Sequence, residues 1–281
     1  VLFRSILVTG GAGLLAPFLV RAGQNHGHVE LTSRRNGLHP CDLTNISGVK
    51  ALAKTIEPGI VIHCAAMTDV DGCERDPAGA ELGNRLTSEN LANALPRDCR
   101  LVYISTDQVY PNVSGPHVYG TENPINAYGR SKLAGEHAVM TRPNSLILRT
   151  SFFGASQTTG RKSLSDFVIE SLRAQKDVTI FDDVMFSPLH ATTLASIIFE
   201  ALEQKLTGIY NLASRDGFSK ATFALKIAAH LGLQTETATI GSSSFQPGRA
   251  VRTADLRMHP GRLEKDLARN MPTLQQEIEK L

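Results

Sequence analysis

The chain has 281 residues, of which 42% are hydrophobic and 20% are charged, and its formal net charge is +2 at pH 7. These values are typical of a globular protein with one large core, and the low net charge gives no sign of binding to nucleic acid or to an anionic membrane. No apolar run reaches the roughly 18 residues of a membrane span, and no signal peptide precedes the glycine-rich segment at Gly10, so we expect a cytoplasmic protein. The four cysteines lack metal-ligand spacing, so we expect reduced thiols and no metal site.

Short apolar runs alternate with helical patterns over the first 150 residues. The patterns predict strands over 6–9, 28–33, 60–64, 101–105 and 145–149. They predict helices over 14–22, 49–56, 78–94 and 127–140. Strands separated by helices imply right-handed crossovers, and therefore an α/β, doubly wound (Rossmann) parallel sheet with helices on both faces. Such sheets bind ligands beyond the carboxyl ends of their strands.

After residue 150 the alternation becomes less regular. Helical patterns cover 164–175, 192–204 and 220–231, and one further strand is predicted over 208–213. We expect residues 1–151 to form a ligand-binding domain around this sheet, with 208–231 rejoining it. Residues 152–207 and 232–281 would then form a smaller substrate-binding lobe.

A glycine-rich turn, Thr9-Gly10-Gly11-Ala12-Gly13-Leu14-Leu15-Ala16, connects the first predicted strand to the first helix. Glycines allow the backbone to turn tightly and to approach a pyrophosphate, which the free N–H groups of the helix N-terminus bind. We therefore predict that Gly10, Gly13, Leu14 and Leu15 contact a dinucleotide. A plain strand-to-helix turn is the alternative.

The residues after the second strand bear on the choice of dinucleotide. Ser33-Arg34-Arg35 places two guanidinium groups where a 2′-phosphate would lie, which favours NADP(H), with NAD(H) as the alternative. Glu30 lies too early in the strand to hold ribose hydroxyls, and a solvated basic turn is the other interpretation of the arginines. Further on, Cys41-Asp42-Leu43 supplies a carboxylate that could accept a hydrogen bond from adenine or cap the next helix.

Tyr128 and Lys132 lie four residues apart in a predicted helix and so share one face. A carbonyl that accepts a hydride needs a proton, and a tyrosine can donate one. We expect the Lys132 ammonium to lower the pKa of Tyr128 and to bind the nicotinamide ribose. Ser105-Thr106-Asp107 ends the preceding strand, where a hydroxyl can polarise a substrate oxygen and Asp107 can hold substrate hydroxyls. A solvated helix face and an ordinary strand-end turn are the alternatives.

Together these residues resemble the extended short-chain dehydrogenase/reductases, and within them the dTDP-4-dehydrorhamnose reductase group. The resemblance rests on the glycine-rich turn, His63-Cys64-Ala65-Ala66-Met67-Thr68, Ser105-Thr106-Asp107, Asn123-Pro124 followed by Ala127 to Glu136, and Arg149-Thr150-Ser151. It implies that Thr106, Tyr128 and Lys132 are the catalytic residues. It also implies that Ala65, Ala66 and Met67 lie along the cofactor.

The chain departs from this family at several positions. Gln108 stands where an aromatic residue is usual, Phe152 stands where a tryptophan often contacts the substrate, and Arg252-Thr253 replaces an Arg-Pro pair. An acidic residue that helps some members bind magnesium is absent from Leu14 to Ala16. The cofactor half of the resemblance is therefore better matched than the substrate half.

The resemblance implies an NADPH-dependent reductase of a 4-keto-deoxy sugar nucleotide, of the type used in dTDP-rhamnose biosynthesis. Two alternatives stay open: a non-catalytic NADP-binding subunit resembling the methionine adenosyltransferase beta subunit, and a sugar-nucleotide epimerase. Dehydration is disfavoured, because Gln108 lacks the second carboxylate expected beside Thr106-Asp107. Oligomers are common in this family, so a homodimer is an open expectation.

Overall fold

The computed structural model describes residues 3, 5–34, 39–243 and 249–281. Its strands are β1 Ser5–Thr9, β2 His28–Ser33, β3 His39–Pro40, β4 Ile60–His63, β5 Arg100–Thr106, β6 Leu146–Thr150, β7 Phe152–Phe153, β8 Val178–Phe181, β9 Met185–Phe186, β10 Leu189–His190, β11 Gly208–Asn211, β12 Phe218–Ser219, β13 Ala238–Gly241 and β14 Asp255–Leu256. Its α-helices are α1 Ala16–Gly23, α2 Ile46–Ile56, α3 Val70–Arg75, α4 Pro77–Ala80, α5 Thr87–Ala94, α6 Ala127–Met140, α7 Leu164–Arg173, α8 Ala191–Glu203, α9 Lys220–Leu231, α10 Gly261–Asp266 and α11 Leu274–Ile278.

Seven strands form one parallel sheet in the order β11-β6-β5-β4-β1-β2-β3. The chain builds outward from β1 to β3, then returns to the other side of β1 and builds outward from β4 to β11. The strand order therefore reverses between β1 and β4, and a crevice opens there beyond the carboxyl ends of the strands. The predicted doubly wound fold is confirmed, including the return of the strand near residue 208 to the sheet.

Successive side chains of each strand point to opposite faces of the sheet, and helices cover both faces. Ile6 and Val8 of β1 pack in one buried cluster with residues of α1 and α8. Leu7 lies between them in sequence and packs in a second cluster with residues of α2, α5 and α6. Strands buried on both faces read as continuous apolar runs, which is the pattern that the sequence shows at β4.

The long helix predicted over 78–94 is divided in the structure. Between α4 and α5 the backbone is π-helical over Glu81–Leu86. The side chain of Asn84 in this segment is fully buried, accepts a hydrogen bond from the Met67 N–H at 2.8 Å and donates to the Ser131 hydroxyl at 2.9 Å. The π-helical segment thus connects the loop after β4 to helix α6. Such π-helical turns are frequent at functional sites.

The remaining elements pack beside the sheet. Helices α7 and α9 contact each other, and aromatic residues such as Phe153, Phe186 and Phe223 form a separate buried cluster with the C-terminal helix α11. The sequence placed α8 in the lobe, but α8 packs with the sheet. The sequence placed α9 with the sheet, but α9 packs with elements of the lobe. The division of the chain into two domains stays a prediction. No helix in the described part of the chain is both long and apolar enough to cross a membrane.

Candidate active site

The glycine-rich turn brings the backbone of β1 very close to the loop after β4. Gly10 has a φ of +73°, and a Cβ atom there would lie 2.8 Å from the amide nitrogen of Ala65. A Cβ atom on Gly13 would lie 2.9 Å from the carbonyl oxygen of Gly10. Helix α1 begins three residues later, and its Ncap residue, Leu15, has no side-chain cap for the N–H groups of the first turn. The turn therefore has the open backbone and the free donors that a dinucleotide pyrophosphate requires.

The hydroxyl of Thr9 holds the two walls of this turn together. It accepts hydrogen bonds from the N–H groups of Cys64 and Ala65, each at 3.2 Å, and lies 2.7 Å from Nδ1 of His63. Burial lowers the pKa of His63 to about 3, so the imidazole is neutral, and its Nδ1 can accept a hydrogen bond from the Thr9 hydroxyl, which already accepts two. Consequently the ends of β1 and β4 are fixed relative to each other.

The turn after β2 places Arg34, but not Glu30, in the wall of the cleft. The Glu30 carboxylate, the rival for ribose hydroxyls, is hydrogen-bonded to His28 at 2.7 Å and to His39 at 3.1 Å, outside the cleft. Arg34 lines the cleft, and the prediction for Arg35 falls outside the described residues. Asp42 also lines the cleft, although Asn45 rather than Asp42 caps α2.

Helix α6 places Tyr128 against the end of β5. The side chain of Asn126 caps this helix by accepting a hydrogen bond from the Gly129 N–H at 2.8 Å. Gly129 passes so close to the turn after β5 that a Cβ atom there would lie 2.2 Å from the carbonyl oxygen of Gln108. This close approach brings the side chain of Tyr128 close to Thr106, and both residues line one cleft.

The pKa of Tyr128 differs from the sequence-based expectation. Burial raises it, and the hydrogen bond with Thr106 only partly opposes that effect. We expected the ammonium of Lys132 to lower this pKa, but here burial dominates, because removal from water disfavours the phenolate. The phenol is therefore protonated near neutral pH, which is the form that can donate a proton to a substrate.

Lys132 is itself almost completely buried. Its Nζ donates a hydrogen bond to the carbonyl oxygen of Ile104 at 2.7 Å and lies 4.0 Å from the centroid of the Tyr103 ring. Burial lowers the pKa of Lys132 to about 7, and the charge of Glu136 one turn further along α6 acts in the opposite direction. The amine is thus close to its midpoint at neutral pH, in a position that lines the cleft.

A buried ion pair lies beneath this site. Arg149 of β6 is 1% exposed and Glu136 of α6 is fully buried. Three hydrogen bonds join the guanidinium to the carboxylate, at 2.9, 3.2 and 2.6 Å. Ser105, which precedes Thr106, donates to the same carboxylate at 2.5 Å. The pair therefore connects α6, β5 and β6 beside Thr106 and Lys132; the sequence shows both residues but not their contact.

Asp107 occupies a different position from the one expected. It is buried, does not line the cleft, and accepts a hydrogen bond from the Thr106 hydroxyl at 3.0 Å. Burial raises its pKa to about 6, while hydrogen bonds and the charge of Lys220 act in the opposite direction. In this structure Asp107 orients Thr106, and its expected contact with substrate hydroxyls stays a prediction.

One cleft of about 1180 Å³ gathers the remaining predicted residues. Those that line it are Gly10, Gly13, Leu14, Leu15, Ser33, Arg34, Asp42, Leu43, Ala65, Ala66, Met67, Thr106, Tyr128, Lys132 and Phe152. Sequence reasoning missed several other lining residues, among them Thr44, Thr87, Ser151 and Arg161. Arg161 had no local signal, because it reaches the cleft from a loop about 150 residues after the glycine-rich turn.

Comparisons with known proteins agree with this geometry. Residues 4–281 match the family model described as RmlD substrate binding domain. The chain is 33% identical to a probable low-salt glycan biosynthesis reductase of Haloferax volcanii over 96% of this chain and 95% of that protein. It is 29% identical to the methionine adenosyltransferase 2 subunit beta of Xenopus tropicalis, over 77% of this chain and 69% of that protein. A crystal structure of dTDP-4-dehydrorhamnose reductase from Bacillus anthracis in complex with NADP superposes with a TM-score of 0.89 at 26% identity, covering 100% of this chain and 97% of the other. The chain therefore belongs to the RmlD family, the dTDP-4-dehydrorhamnose reductase group of the extended short-chain dehydrogenase/reductases.

Proposed function

We propose that this protein is an NADPH-dependent reductase that converts a keto group of a deoxy-sugar nucleotide to a hydroxyl. The observation that carries the proposal is the position of the Tyr128–Thr106 pair in the same cleft as the glycine-rich turn. A proton donor, a second hydroxyl and a dinucleotide-binding turn in one cleft are what carbonyl reduction requires. The names of relatives, such as the Haloferax reductase and the Bacillus dTDP-4-dehydrorhamnose reductase, support the same reaction.

The chemistry divides between the cofactor and the side chains. When bound, the reduced nicotinamide supplies a hydride to the carbonyl carbon of the substrate. Tyr128 donates its phenolic proton to the carbonyl oxygen, so that the C=O bond becomes a CH–OH group. The single hydroxyl proton of Thr106, which Asp107 accepts in the structure, would turn to the substrate oxygen as negative charge develops there. Lys132 lines the same cleft one helical turn after Tyr128, and its ammonium would return a proton to the phenolate.

The preference for NADPH over NADH rests on the residues after β2. With Glu30 engaged by two histidines, no carboxylate at the end of that strand competes for the ribose hydroxyls among the described residues. Arg34 lines the cleft at this end and would pair with a 2′-phosphate. Phe152 lines the cleft near Thr106 and would pack against the sugar or the base of the substrate.

The test is the reduction of a panel of 4-keto-6-deoxy sugar nucleotides, with the rate measured from the oxidation of NADPH. Tyr128→Phe should lower turnover by a factor of about a hundred or more while the Kd for NADPH stays near that of the wild type, since only the proton donor is removed. Tyr119→Phe is the matched control, because Tyr119 is 55% exposed and does not line the cleft. Unchanged turnover in Tyr128→Phe would contradict the assigned role.

The same assay separates the alternatives. An epimerase would change the substrate without stoichiometric release of oxidised cofactor. A regulatory subunit like the methionine adenosyltransferase relative would bind NADPH, oxidise none of it with any sugar nucleotide, and co-purify with a second enzyme.

A further inference from the structure

A loop between β7 and α7 forms part of the wall of the cleft although it is remote in sequence from the glycine-rich turn. The hydroxyl of Thr158 in this loop donates a hydrogen bond to the carbonyl oxygen of Gly13 at 3.1 Å. Arg161 follows one tight turn later, closed by a hydrogen bond from its own N–H to the Thr158 carbonyl at 3.1 Å. Arg161 is therefore held within one turn of the backbone that would bind the pyrophosphate, and it lines the same cleft.

The loop is anchored on both sides of this turn. The hydroxyl of Ser156 accepts a hydrogen bond from the Thr158 N–H at 3.2 Å, and the N–H of Ser156 donates to the carboxylate of Asp166 in α7. At the other end Ser163 and Asp166 form a capping box at the start of α7. These contacts fix the backbone on which the Arg161 side chain is mounted.

The charges around the loop leave Arg161 available for a ligand. Its side chain is exposed, and within the described parts of the chain it makes no hydrogen bond or ion pair. The neighbouring Lys162 is instead paired with Glu170 of α7. A guanidinium exposed to a cleft without an acidic partner is a group suited to bind a phosphate through two parallel N–H donors.

Of the described residues that line the cleft, three carry basic side chains: Arg34, Lys132 and Arg161. Arg34 lies beyond the end of β2, and the Nζ of Lys132 is committed to the carbonyl of Ile104 at the catalytic end. Of these three, only Arg161 lies on the loop that Thr158 bonds to Gly13 of the glycine-rich turn, where a dinucleotide carries two negative charges. We propose that Arg161 binds the pyrophosphate of the cofactor, as a second anchor supplied by the loop after β7. This inference rests on the proposed dinucleotide site.

The pyrophosphate is common to NADPH and NADH, whereas the 2′-phosphate belongs to NADPH alone, and this difference provides the test. Binding of both nucleotides to the full chain is measured by isothermal titration calorimetry at one ionic strength. Arg161→Gln should weaken the binding of NADPH and NADH by the same factor, about ten-fold, because one charge-assisted contact to a shared group is lost. Arg34→Gln should weaken the binding of NADPH much more than that of NADH.

Lys162→Gln is the matched control, since it removes the same charge from the next residue of the same loop but from a side chain that faces Glu170. It should leave both affinities within about two-fold of the wild type. Because the Arg161 side chain is exposed and makes no hydrogen bond or ion pair with the residues that the structure describes, Arg161→Gln should also keep the wild-type melting temperature.

Three results would overturn the inference. Unchanged affinities in Arg161→Gln would show that the residue does not bind the cofactor. A loss of affinity for NADPH alone would assign Arg161 to the 2′-phosphate. An equal loss of affinity in Lys162→Gln would show that the positive charge of the loop, and not a contact of Arg161, attracts the nucleotides. If the wild type binds neither nucleotide, the proposed function itself fails; binding by the wild type that is unaffected by Arg161→Gln removes only the present inference.

Discussion

Replacement of Glu136 by glutamine tests how strongly the buried ion pair supports the active site. The substitution keeps the size of the side chain but leaves Arg149, 1% exposed, without its main counter-charge. Breaking a buried pair by removing one partner costs about 3 to 5 kcal/mol. Because Arg149 also pairs with Glu122, which is 15% exposed, we expect the free energy of unfolding to fall by about 3 kcal/mol, at the lower end of that range.

Equilibrium unfolding in urea at pH 7 measures this loss, provided that the slope against denaturant stays unchanged. Glu200→Gln is the control, because it removes one partner of the partly exposed Glu200–Arg269 pair and should cost less than about 1 kcal/mol. The double variant Glu136→Gln, Arg149→Met should be more stable than the sum of the two single losses predicts, by about 1 kcal/mol or more, since the stranded charge is removed. A loss below about 1 kcal/mol in Glu136→Gln, or additive losses in the double variant, would refute the reasoning.

Glu136 also bears on catalysis. Its charge raises the pKa of Lys132 against the lowering effect of burial, so Glu136→Gln should move that pKa below about 7. The corresponding limb of the pH profile of turnover should shift in the acidic direction. A profile that matches the wild type would mean that Lys132 does not control that limb.

Two further predictions concern the glycine-rich turn and the buried amine. Gly10→Ala should lower the free energy of unfolding, measured in urea, by more than Gly160→Ala does. Both residues have φ near +74°, but only at position 10 would the added Cβ atom meet backbone, at 2.8 Å from the amide nitrogen of Ala65. Equal losses in the two variants would contradict the close approach. For Lys132, the folded pKa of about 7 lies below the ordinary lysine pKa of 10.5, so the unfolded chain binds more protons between these values and this residue makes stability rise with pH there. Relative to Lys132→Met, the wild type should gain about 2 kcal/mol between pH 7 and pH 9, and a constant difference between the two proteins would contradict the buried position of the amine.

Local patterns in the sequence predicted most of the fold. The alternation of apolar runs and helical patterns defined the strands of the sheet, and the predicted bounds of β2 and α6 agree with the structure. The four-residue spacing of Tyr128 and Lys132 can be interpreted from the periodicity of one helix. The run of small residues after β1 can be interpreted from the geometry of one turn. Such features follow from neighbours in the chain, so one stretch of sequence is enough to predict them.

Contacts between distant segments could not be predicted in this way. The ion pair between Glu136 and Arg149 requires the register of β6 against α6, and the π-helical turn at Asn84 depends on the polar groups of Met67 and Ser131. The prediction for the pKa of Tyr128 was wrong in direction for the same reason, because burial depends on the packing of the whole site rather than on the spacing of two residues.

The sequence by itself determined the order of the elements, the glycine-rich turn and the helical pair of Tyr128 and Lys132, because each depends on interactions within one short segment. Only the tertiary structure decided the protonation state of those two side chains, the burial of Asp107 outside the cleft and the position of Arg161 in the wall of the cleft. Desolvation and long-range contacts exist only once segments far apart in the chain have packed together, and these interactions set the chemistry of the cleft.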